Sequence, residues 1–178
     1  MKAALAREHL QQIPLLRGLS EKACHALLEA AEAVEFQGGE QILIEGRQAP
    51  QLWILLQGAC EVVKNLDQHG GRPVVLATLE PFATFGEMSF FHPAPHSASV
   101  RAKTNVRLLR LTRAAFERVA EEHPGMAYKV ALNTMSSLAD RLRRMDQWVA
   151  ELLAGKDGTA RVQEWAKLRE QLFNGWML

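Results

Sequence analysis

The sequence predicts a mainly β domain, an antiparallel barrel or sandwich, with helices on both sides of it in the chain. Between residues 34 and 111, apolar residues come in short, partly alternating runs separated by glycine turns. After Thr112 the apolar period becomes 3.6 and stays there. The chain has 178 residues, within the range of one domain, and 48% of them are hydrophobic, enough for a core without disulfides.

Residues 3–10 and 20–33 read as helices, and Ser20 can cap the second ahead of Ala23, Leu27 and Leu28. Strand patterns follow at Val34–Phe36, Gln41–Glu45 (closed by Gly46), Leu52–Leu56 (ending at Gln57-Gly58) and Cys60–Val63. His69-Gly70-Gly71 turns the chain into Pro73–Leu79, and Ser97–Ala102 and Val106–Leu111 are two further strands. Thr112 is placed to cap a helix over Arg113–Glu122, and His123-Pro124 breaks it. A long helix then runs to about Ala154, where Gly155 and Gly158 stop it. Thr159–Phe173 is a last amphipathic segment before an apolar ending, Trp176-Met177-Leu178.

In the long helix, Tyr128, Ala131, Met135, Leu138, Leu142, Met145, Val149 and Leu152 recur in strict steps of three and four, a coiled-coil-type seam. The expected occupant of this seam is its own copy across a two-fold axis, giving a homodimer. The other reading buries it against the β domain or the C-terminal segment of the same chain.

Lys plus Arg number 21 and Asp plus Glu 20, so charge balance gives no reason to expect DNA as a partner. Cys24 and Cys60 form no metal-type spacing and read as buried thiols of a reducing compartment. No signal segment or membrane span is legible, and the expected location is the cytoplasm. No catalytic triad, paired-carboxylate or metal motif stands out, so no enzyme activity, catalytic residue, metal or cofactor is expected.

Three stretches carry a resemblance. They are Phe36-Gln37-Gly38-Gly39-Glu40-Gln41-Ile42 with Glu45-Gly46, then Trp53–Gly58, then Phe85-Gly86-Glu87-Met88-Ser89-Phe90-Phe91 with Pro95–Ala102. In this order and spacing, residues 14–154 resemble the cyclic-nucleotide-binding family that includes the catabolite activator protein. The resemblance implies a jelly-roll-like β-roll with N-terminal helices, a long dimerisation helix and a short terminal helix. The expected organisation is 1–123 for the helices and roll, 124–154 for the dimerisation helix and 155–178 for the tail. It also implies a phosphate-binding cassette of Gly86, Glu87, Met88, Ser89, His96 and Ser97, with Glu87 accepting from a ribose hydroxyl and Ser97 contacting phosphate. Glu87 otherwise reads as a carboxylate at a helix N-terminus.

The chain departs from that family in three places. Where the family has an arginine that pairs with phosphate, this chain has His96; losing a charged contact costs about 1.5–3 kcal/mol. On strand alternation, His96 is expected on one face and Ser97, Ser99 and Arg101 on the other, and a charged His96 should bind phosphate better as pH falls through the ordinary histidine range. The family's adenine-reading Thr-Ser pair aligns with Arg141-Leu142. Thr134, Ser136 and Ser137 are substitute hydroxyls, and Arg141 is either a pocket anion partner or a surface residue. No winged helix-turn-helix is legible after the long helix, so no DNA partner is expected. The tail reads as a cover for apolar surface, a docking helix or an intrinsic ligand. Two functions follow: a cyclic-nucleotide-sensing dimer that signals to an unknown protein partner, or a ligand-independent dimeric scaffold with a degenerate pocket.

Overall fold

A computed structural model describes residues 7–65 and 73–153. The expectations for 1–6, for the His69-Gly70-Gly71 turn and for 154–178 lie outside the described residues, as does the side chain of Leu152. The elements are α1 (Arg7–Gln12), a 3-10 turn (Pro14–Leu16), α2 (Glu21–Ala30), β1 (Glu32–Phe36), β2 (Gln41–Leu43), β3 (Gln51–Gln57), β4 (Cys60–Asn65), β5 (Pro73–Leu79), β6 (Thr84–Phe85), α3 (Glu87–Phe91), β7 (Ser99–Ala102), β8 (Val106–Thr112), α4 (Arg113–Glu122) and α5 (Pro124–Leu153). Two compact units divide inside α5, between Thr134 and Met135.

Among the described residues, eight antiparallel strands make two four-stranded sheets, ordered β1-β8-β3-β6 and β2-β7-β4-β5. This is the expected β-roll. Strand β3 shows how the layers arise. Its apolar run Leu52-Trp53-Ile54-Leu55 has no solvent face, because side chains alternate between two cores. Trp53 and Leu55 join Leu43, Cys60, Phe85, Val100, Ala102, Val106 and Leu108 between the sheets. Leu52 and Ile54, with Leu109 and Leu111 of β8, meet the helices: Leu16, Leu27, Leu28, Phe90, Phe116 and Val130.

Local signals and tertiary pairing divide the helix boundaries between them. Ser20 Oγ accepts from Ala23 N at 3.3 Å and Thr112 Oγ1 from Ala115 N at 3.2 Å, so both expected caps form. Helix α2, expected to reach residue 33, ends at Ala30, because Glu32 and Ala33 already pair with Arg110 and Leu109 across the sheet. Strand β2 stops at Leu43 and β7 starts only at Ser99, each shorter than the apolar pattern suggests. Strand β6 was not legible in the sequence; it exists through the pairs Trp53↔Phe85 and Ile54↔Thr84.

The first turns of α5 dock on the first unit. Met126 and Val130 are buried, Asn133 Nδ2 donates to Leu15 O at 3.0 Å and Arg17 O at 2.9 Å, and Lys129 bonds Gly18 O. Val130, Asn133 and Thr134 form a stripe separate from the three-four seam. On the seam, Tyr128, Met135, Leu142 and Met145 are more than half exposed, and Ala131, Leu138 and Val149 are half-buried.

One end of the roll is closed by three turns. Gly39 N donates to Ala102 O at 2.8 Å, Gly38 N to Asn105 Oδ1 at 3.0 Å and Ala59 N to Thr104 Oγ1 at 3.1 Å. Gly58 turns between β3 and β4 with φ +84°; a Cβ there would overlap Asn105 O and lie 2.8 Å from Thr104 Oγ1. Gly58→Ala should therefore destabilise the fold by more than about 2 kcal/mol, read as a lowered urea midpoint. A midpoint equal to wild type would show that this end of the roll is not packed as described.

Candidate functional site

The cassette starts where β6 ends. Gly86 has φ +82°, and a Cβ would collide with Gln51 O and lie 3.3 Å from Trp53 Cδ1. Glycine is needed both for the left-handed backbone and for the close approach to β3. The next residues turn into α3, with Phe90 N on Gly86 O at 3.0 Å. Glu87, Met88 and Ser89 thus occupy a first helical turn, whose N–H groups have no intrahelical acceptors.

The side chains of that turn separate sharply. Glu87 is 5% and Ser89 2% exposed, whereas Met88 is 56% exposed and turned to solvent. The far end of α3 is fastened to α4. Arg113 Nη1 donates to Phe90 O at 2.8 Å, its guanidinium lies 5.8 Å from the Phe90 ring centre, and Phe90, Phe91 and Phe116 pack edge to face. The position of the cassette helix is therefore set by α4, a role for Arg113 that sequence reasoning missed.

Residues 92–98 close the site. His96 N donates to Arg47 O at 2.9 Å and Gly46 N to His96 O at 3.0 Å, which hangs this segment on the turn after β2. His96 is buried and Ser97 exposed. The expected strand alternation does not hold here, because β7 begins only at Ser99. Ser99 is buried and its Oγ accepts from Glu45 N at 2.9 Å, while Arg101 pairs with Glu61 at 2.8 Å.

His96 Nδ1 lies 2.8 Å from Ser89 Oγ, whose hydroxyl is also 3.4 Å from Gly86 O. Its Nε2 is buried without a hydrogen-bond partner among the described residues. Burial pushes His96 below the usual histidine value of 6.5. The ring is thus neutral near pH 7, and Nε2 alone remains to meet a ligand. The pH window in which charging would aid phosphate binding shifts below 6.5.

A charge nevertheless stands beside the cassette. Lys64, at the end of β4, donates to Ser97 O at 2.6 Å and to Glu45 Oε1 at 3.0 Å. Asn65 N adds a bond to Glu45 Oε2 at 3.3 Å, and the Lys64 hydrogen bond is the main cause holding the Glu45 carboxyl below its usual range. Sequence reasoning placed Glu45 only in a strand and in the first resemblance motif, and did not name Lys64. Their signal was faint: Lys64 continues the alternation of Cys60 and Val62.

Of the other candidates, Thr134 is buried but its hydroxyl is turned back onto Val130 O at 2.9 Å, and Ser136 is exposed. Arg141 is exposed and lies in the second unit; its neighbour Asp140 pairs with Arg143 at 2.7 Å. Among the described residues, no group of three His, Cys, Asp or Glu side chains is placed to hold a metal, and no helix is long and apolar enough to cross a membrane. Cys24 and Cys60 are buried thiols, and burial pushes Cys60 up to about 11.

The family model described as cyclic nucleotide-binding domain matches residues 33–123. The chain is 27% identical over 146 residues to a CRP-like cAMP-activated global transcriptional regulator of Mycobacterium tuberculosis, covering 82% of this chain and 62% of that protein. It is 30% identical over 110 residues to a cAMP-dependent protein kinase regulatory subunit of Schizosaccharomyces pombe, covering 62% of this chain and 25% of that one. Among solved structures, the Thermus thermophilus catabolite activator protein superposes with a TM-score of 0.68 at 29% identity, over 78% of this chain and 62% of that chain. The chain thus spans less than two thirds of the length of these relatives.

The buried histidine has a consequence for stability. Its pKa is lower folded than unfolded, so below pH 6.5 the unfolded chain takes up the proton first and stability falls with pH. One such proton gives at most about 1.4 kcal/mol per pH unit. Between pH 7.5 and 5.5 the wild type should lose more stability than His96→Gln, measured by urea unfolding at each pH. Equal losses would show that His96 is not held neutral by the fold.

Proposed function

The chain belongs to the cyclic nucleotide-binding domain family, and we propose that it is a dimeric regulatory module that binds a cyclic mononucleotide in its roll and signals to a partner protein. The observation that carries this is the cassette: Gly86 in a conformation only glycine adopts readily, followed by buried Glu87 and by Ser97 exposed beside Lys64. Glu87 is the acceptor for the ribose hydroxyl and Ser97 a neutral phosphate contact; His96 Nε2 is a second one in the tautomer in which Ser89 donates to Nδ1. The names of the relatives above point to cAMP as the first ligand to test.

A change at the cassette has a route outward. Helix α3 is tied to α4 by Arg113, and α4 leads through His123 into α5. Dimerisation is assigned to the seam of α5. Its apolar row from Tyr128 to Met145 is largely exposed in one chain, while the separate stripe at Val130, Asn133 and Thr134 docks the helix. A row of this kind is stabilised by pairing with its copy.

A second reading, a ligand-independent scaffold, draws on His96: a neutral ring bonded to Ser89 stands where the family has a permanent charge. Thermal-shift measurement with 3′,5′-cyclic AMP and cyclic GMP, with 5′-AMP as control, separates the two. A cyclic nucleotide at about a hundred times its Kd should add about 2.7 kcal/mol. No shift at millimolar concentration, in wild type and in His96→Arg alike, would give the scaffold reading the lead. For the dimer, light scattering should show two chains at tens of micromolar protein. Replacing Leu138 and Leu142 together by Glu should give monomers, because charges would be buried unpaired. A monomeric wild type would end the dimer assignment.

A further inference from the structure

We propose that Lys64 supplies the positive charge that meets the ligand phosphate in this chain, in place of the side chain at position 96. The proposal rests on the reading of the roll as a nucleotide site. It starts from strand geometry. On β4, Cys60 and Val62 belong to the core between the sheets, and their partners on β7 are Ala102 and Val100. Lys64 is half-buried near the other end of the same strand, beside the cassette rather than at the closed end of the roll.

The contacts of the ammonium define its place. Nζ lies 2.6 Å from the carbonyl of Ser97, the residue whose hydroxyl is the proposed phosphate contact, and 3.0 Å from Glu45 Oε1. Residues 45–47 also hold the cassette, since Glu45 N bonds Ser99 Oγ and the backbone of Gly46 and Arg47 brackets His96. Lys64, Glu45 and residues 96–99 are therefore one connected group. An ammonium has three N–H donors, and these two contacts use two of them. The third, on a flexible four-carbon stem, is left for an oxygen of a ligand bound beside Ser97. The side chain is 38% exposed, so it moves without breaking a packed core.

Chemistry at position 96 leaves the charge to be supplied from elsewhere. A cyclic phosphate carries one negative charge, and His96 offers it one ring nitrogen and no charge at neutral pH. An anion taken from water into a partly buried site without an opposite charge binds weakly. Glu45 has the opposite effect until a phosphate arrives: it holds the ammonium in position and balances its charge. The ligand then competes with Glu45 for the ammonium.

The test is calorimetric titration with 3′,5′-cyclic AMP of wild type, Lys64→Gln and Lys64→Arg. The Gln amide keeps a donor for Ser97 O and removes only the charge. Lys64→Gln should weaken binding by about tenfold or more, Lys64→Arg should hold it within about threefold of wild type, and the melting temperatures without ligand should coincide. If wild type binds and Lys64→Gln binds equally well, the Lys64 assignment is overturned and the nucleotide site stands. A loss in Lys64→Gln accompanied by a matching fall in ligand-free melting temperature, or one that Lys64→Arg fails to restore, also overturns it, because the role is then structural. If wild type binds no cyclic nucleotide, the functional reading itself falls, and this assignment with it.

Discussion

Strand β3 has no side in water, and the molecule is organised around that constraint. Four consecutive apolar residues must be covered on two faces. Trp53 and Leu55 draw the second sheet over one face, and Leu52 and Ile54 draw the helices over the other. The strand also positions the site. Its first carbonyl, Gln51 O, and the Trp53 ring leave room only for a glycine at position 86. The cassette is placed by close packing against a strand covered on both faces, so it inherits the rigidity of the core rather than the freedom of a loop. Phe85, stacked on Trp53 with centroids 6.2 Å apart, carries that packing to the residue before the turn.

At the cassette, two polar pairs stand around residues 96 and 97. Ser89 and His96 complement each other: a hydroxyl on the helix holds one ring nitrogen of a buried histidine, which fixes the ring but leaves it neutral. Lys64 and Glu45 form a second pair on the solvent side, with Lys64 bonded to the carbonyl of Ser97. The buried polar contact and the exposed ion pair respond to different variables. The first is governed by proton uptake below pH 6.5, the second by ionic strength and by competition from a bound anion.

Helix α5 serves two surfaces with two stripes. Val130 and Thr134, four residues apart, lie toward the first unit with Met126, and Asn133 secures the 14–18 turn by its amide. Tyr128 and Met135 lie on other positions of the same turns and stay exposed. A 3.6-residue repeat allows one helix to carry a docking stripe and a separate seam without sharing residues.

The sequence alone determined the fold class, the order of nearly all the elements, two helix caps and the glycine of the cassette. These are encoded locally: in the period of apolar residues, in a Ser or Thr ahead of a helix, in a residue type that only one backbone conformation requires. Tertiary structure decided what depends on partners distant in the chain. Helix α2 gives up its last turn because β8 offers Glu32 and Ala33 a ladder. Strand β6 is two residues long and exists only through β3. His96 lies inside and Ser97 outside because the segment hangs on Gly46 and Arg47 and does not follow a strand. Ser89 meets His96 across seven residues, and Lys64 meets Ser97 across thirty-three, separations at which no period links two side chains. Pattern reports which face a residue takes within its own element; only closure of the roll reports which charge arrives beside which carbonyl.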